Sequence, residues 1–69
     1  MPLTLMDQGQ VFMIKRVSGR DDTRKRLAEL GLVSGETISI ISAQGGDLIL
    51  NVKGSRLALT REMAQHIMV

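Results

Sequence analysis

The stretch Asp22–Gly35, reading DTRKRLAELGLVSG, constrains this chain most, because it alone carries a helix signature from start to stop. Asp21, Asp22 or Thr23 supplies a side-chain oxygen for the free N–H groups of a first turn. Leu27 and Leu30 stand three apart and share a face, with Thr23 one turn before Leu27. Arg24, Lys25, Arg26 and Glu29 fall mostly on the other side. Gly31 has no Cβ and accepts the left-handed conformation that ends a helix. Leu32 lies where an apolar residue folds back on Leu27, and Gly35 punctuates again before an alternating run. The pattern predicts one short amphipathic helix, a hard stop and a tight turn into a strand.

The rest of the chain reads as strands. Leu3 and Leu5 alternate with polar neighbours, and Asp7-Gln8-Gly9 is a turn. Val11–Val17 is rich in β-formers and reads as one strand, ended by Ser18-Gly19-Arg20. Glu36–Ala43 alternates with Ile38 and Ile40 on one face. Gln44-Gly45-Gly46-Asp47 is a turn whose glycines permit positive φ, and Leu48–Lys53 is the partner strand, with Leu48, Leu50 and Val52 inward. Gly54-Ser55 makes a second turn and Arg56–Leu59 a third strand. Thr60 caps a helical turn over Arg61–His66, and Ile67–Val69 is a terminal strand that pairs near the N-terminus. About five short strands with one inserted helix fit a small closed or nearly closed barrel, which also removes exposed sheet edges. The expected core joins Leu27, Leu30, Leu32, Ile38, Ile40, Leu50, Val52 and Leu59.

A length of 69 residues predicts a single domain, 1–69, that buries little and depends on efficient packing. With no Cys, neither a disulfide nor a thiolate metal site staples it. One Phe and no Trp or Tyr leave the core to aliphatic residues and Met, including Met13, Met63 and Met68. The same lack removes stacking platforms for single-stranded nucleic acid, and a net charge of +2 is mild for a phosphate-binding protein. No apolar run approaches membrane-spanning length, and the start lacks a signal-peptide pattern, so a cytoplasmic location is expected.

No chemistry-bearing constellation emerges. There is one His, no Ser in a nucleophile context and no Walker-type glycine loop, so no catalytic residue and no cofactor is expected. Glu62 and His66 stand four apart, but no third ligand joins them, so no metal site is expected either. The cations Arg24, Lys25 and Arg26, with Arg20 nearby, are a solvated helix face or a docking patch. If they dock a partner, Leu32 or Val33 in the adjoining turn supplies the apolar part.

The ordered set Leu3-x-Leu5, Gly9, Ile14-x-x-Val17, Arg26-Leu27, Leu30-Gly31-Leu32-x-x-Gly35, Gly46-Asp47, Val52-x-Gly54, Leu57-Ala58-Leu59, Ala64 and Ile67-x-Val69 resembles the FeoA family end to end. LGLxxG followed by GD and then LAL is its most specific part. Ser34 stands where that family usually has Pro. The turns read from the residues fall at Gly31, Gly35, Gly46 and Gly54. The resemblance implies an SH3-like β-barrel with an inserted helix. It also implies a non-enzymatic accessory role in bacterial ferrous-iron uptake, with FeoB, a membrane transporter with a cytoplasmic GTP-binding domain, as partner. The same fold is joined to iron-dependent repressors, so a metal-regulator domain or a nucleic-acid-binding module is the rival reading.

Overall fold

The computed structural model describes residues 1–69. A single 3-10 turn, Leu3–Leu5, buries Leu3 and leaves Leu5 exposed. Two short strands follow, β1 (Val11–Met13) and β2 (Arg16–Val17). The expected continuous strand over Val11–Val17 is thus broken at Ile14-Lys15, and the cause is a change of partner. The Ile14 N–H donates to the Glu36 carbonyl at 2.9 Å, whereas the next N–H, of Lys15, donates to the Met68 carbonyl at 2.8 Å. The chain therefore passes from one sheet to another within two residues. Ile14 is fully buried at this corner. Val11 and Met13 point outward at 69% and 59% exposure, so Met13 is not core filler.

Helix α1 spans Asp21–Glu29. The cap position falls on Arg20, whose side chain makes no cap hydrogen bond, rather than on Asp21, Asp22 or Thr23. The two aspartates instead occupy the first turn, where the helix dipole favours carboxylates. At the other end, the Gly31 N–H donates to the Ala28 carbonyl and the Leu32 N–H to the Leu27 carbonyl, both at 2.9 Å. This is the paired closure of a Schellman motif, and Gly31 has the positive φ it requires, +90°.

Three strands follow in a meander: β3 (Thr37–Gln44), β4 (Asp47–Val52) and β5 (Ser55–Leu59). Both connections are two-residue turns with positive φ at each position, +61° and +90° at Gly45-Gly46 and +53° and +79° at Lys53-Gly54. That geometry matches the right-handed twist of paired strands. The second turn is therefore Lys53-Gly54, not Gly54-Ser55; Ser55 already pairs with Val52. A register shift between Ile40 and Ser42 leaves Ile41 unmatched on β3. The expected cap at Thr60 is present, with its Oγ1 accepting from the Met63 N–H at 3.3 Å, and opens α2, which is limited to Arg61–Ala64. The last strand, β6 (Ile67–Met68), is antiparallel to β2.

Six strands thus form a four-stranded sheet in the order β1-β3-β4-β5 and a two-stranded sheet of β2 and β6. The two ends of the chain are tied together: the N-terminal amine donates to the Val69 carbonyl at 2.9 Å, and the Val69 N–H donates to the Met1 carbonyl at 2.8 Å. The inward rows Ile38–Val52 and Ile40–Leu50, with Leu48 and Leu59, face Leu3, Ile14, Leu27, Leu32, Ala64 and Ile67. No polar or charged side chain is buried. Leu30, expected in this core, stays outside.

Candidate functional site

The most charged feature of the surface is α1, and the sequence explains its exposure. One helical side chain, Leu27, is fully buried; its other residues lie outside the core. Successive helical residues are about 100° apart, so Arg24, Lys25 and Arg26 spread around the solvent side rather than stacking on one line. They differ in freedom. Arg24 forms an ion pair with Asp21 one turn earlier, whereas Lys25 and Arg26 have no ion-pair partner. The free cations of this helix are therefore Lys25 and Arg26.

The apolar component differs from the expected one. Leu32 is buried at 1% exposure and is not available to a partner, because the Schellman closure turns it back onto Leu27. Leu30 takes its place at the surface. It and Val33 are each 41% exposed, on the two sides of the Gly31-Leu32 reversal. Arg26 precedes Leu30 by four residues, the spacing of neighbours on one helix face. The signal that could have exchanged the two leucines is the glycine itself: a glycine closing a helix returns the residue after it, not the residue before it, to the core.

The exit turn is held by hydrogen bonds. The Ser34 hydroxyl donates to the Lys15 carbonyl at 2.8 Å, and the Gly35 N–H donates to the Ile14 carbonyl at 2.7 Å. Ser34 thereby anchors by a side-chain bond a turn that proline would stiffen covalently. Gly35 has φ +90° with open space around it. Gly46 and Gly54 lie in the two hairpin turns, and Lys53 of the second turn approaches Glu36, just after Gly35, at 3.5 Å. Glu62 lies on α2 and His66 beyond its end, with the His66 ring packed over Gly19; no three His, Cys, Asp or Glu side chains group anywhere in the chain.

A small β fold of two sheets, closed at its ends and interrupted by one cationic helix, defines an SH3-like domain, and solved structures agree. The zinc-complexed FeoA of Stenotrophomonas maltophilia, described as a prokaryotic SH3 domain protein, superposes with a TM-score of 0.85 at 28% identity, over 100% of this chain and 88% of that one. A crystal structure of an iron uptake regulatory protein, FeoA, superposes at 0.90 with 31% identity, over 99% and 90%. The sequence is 31% identical over 68 residues to a Methanocaldococcus jannaschii protein assigned as Fe(2+) transport protein A, covering 99% of this chain and 83% of that protein. The FeoA domain family matches residues 1–69, and the chain belongs to that family.

Proposed function

We propose that this chain is a non-enzymatic accessory protein of ferrous-iron uptake that docks, in the cytoplasm, on the GTP-binding part of a FeoB-type transporter. Family membership supports the iron-uptake setting, and the Stenotrophomonas relative has been put forward as a ferrous-iron transport activating factor. The observation that supports docking is the combination of free cations, Lys25 and Arg26, with exposed Leu30 and Val33 on one helix and its exit turn. Cations around a small apolar patch suit an acidic protein surface: charge steers the encounter and the apolar contact holds it. Docking there biases the partner's nucleotide cycle or pore without any chemistry on this chain.

The test is binding of the Arg24→Glu, Lys25→Glu, Arg26→Glu triple variant to the cytoplasmic domain of FeoB. The variant should keep its fold, since exposed charges contribute little to stability. Its association rate should fall, and the deficit should shrink as salt is raised. A folded triple variant that binds with unchanged affinity at low salt would make this helix face merely solvated.

A further inference from the structure

A pocket of about 170 Å³ opens between the β3–β4 hairpin, the N-terminal 3-10 turn and the start of α2, and it shares no residue with the α1 surface. Thr4, Ala43, Gly46, Leu48 and Arg61 line it. Ala43 and Leu48 are cross-strand partners and make one apolar wall. Thr4 brings a hydroxyl. The Arg61 stem lies along the glycine turn: a Cβ on Gly46 would stand 3.7 Å from the Arg61 Cδ. Arg61 has no ion-pair partner, although Asp47 and Glu62 are close in the fold and in sequence.

An unpaired guanidinium beside an aliphatic wall recognises a carboxylate next to an aliphatic group, since arginine grips carboxylates through two parallel hydrogen bonds. Arg61 and the aliphatic wall line one small pocket, so carboxylate and aliphatic group must arrive side by side. An internal Asp or Glu carries its carboxylate at the tip of the very side chain that would have to cover the wall. A chain end presents carboxylate and aliphatic side chain from a single residue. We propose that this pocket binds the C-terminal carboxylate of a partner polypeptide ending in an aliphatic residue. Arg61 takes the carboxylate, and Ala43 and Leu48 take the side chain.

The experiment is an NMR titration of the isotope-labelled protein with three short peptides: one ending in Leu as the free acid, the same peptide as its C-terminal amide, and an amidated peptide with an internal Glu. The free acid should shift the Gly46, Leu48 and Arg61 amides saturably, and each of the other two should bind about tenfold more weakly or worse. Arg61→Gln, which removes the charge at an exposed position, should lose the same factor while keeping a dispersed spectrum. Ala43→Leu, which fills the aliphatic side and spares Arg61, should also lose binding. Equal affinity for acid and amide, undiminished binding by Arg61→Gln, or no saturable shift at millimolar peptide would overturn the proposal. Binding of the internal-Glu peptide as tight as that of the free acid would overturn the chain-end assignment.

Discussion

Between Thr37 and Leu59, six side chains reach the core; the nine residues of α1 send one. The meander is stabilised redundantly. Its ladders run through two tight turns, and its inward rows cover one another, so each buried side chain is supported by neighbours on adjacent strands. The helix depends on Leu27, on the Gly31 closure and on Leu32 beyond it. A short helix is marginal in water by itself, so this one owes its existence to those few contacts. The difference leaves α1 with far fewer apolar anchors than the meander, so local opening there costs less.

The sharpest test sets Leu50→Ala against Leu27→Ala, both fully buried in the native chain. Leu50→Ala should lower stability by about 2–5 kcal/mol in urea melts and weaken amide-exchange protection in both sheets together. Leu27→Ala should carry a cost of similar order, roughly 2–5 kcal/mol, but lose protection first over Asp21–Glu29 while β3–β5 stay protected. If the two variants lose protection everywhere in parallel, helix and meander form one cooperative unit and the contrast fails.

The next test concerns the closure. A Cβ at Gly31 would meet only the Val52 Cγ1, at an ordinary 3.5 Å, so the penalty comes from its +90° φ and not from crowding. Gly31→Ala should cost about 1 kcal/mol, and Gly31→Val more. A thermal melt unmoved by Gly31→Val would remove the closure from the account. The smallest effect is expected in the meander. Lys53 is the one non-glycine residue with positive φ, at +53°, in a turn that favours Asn-Gly. Lys53→Asn should stabilise by roughly 0.5–1 kcal/mol. Its gain is offset slightly by loss of the Lys53–Glu36 pair, 3.5 Å apart, in which Lys53 is exposed and Glu36 half-buried. A lower melting temperature would show that the pair outweighs the backbone.

The first hairpin turn, the Thr60 cap and the alternating strands were readable in the residues because their determinants are local. Gly45-Gly46 between alternating runs specifies a tight hairpin, Thr60 specifies a cap, and the inward row of Leu48, Leu50 and Val52 follows from the period of a strand. Gly31 also gave away the helix end. The apolar period alone does not choose among equivalent leucines; the choice needs the geometry of the Gly31 closure as well. Leu27, Leu30 and Leu32 are chemically alike, and Leu30 lies outside only because the helix meets the sheets along a narrow line and the closure delivers Leu32 to the remaining space.

The sequence by itself determined the strand-rich order, the single inserted helix and the concentration of cations on it, since these follow from spacing, capping and charge along the chain. The tertiary structure alone decided two further matters. It split Val11–Val17 by giving Ile14 and Lys15 partners in different sheets. It also set Arg61 beside the Gly46 turn and Thr4. Each depends on residues far apart in the chain, and no local pattern encodes those distances.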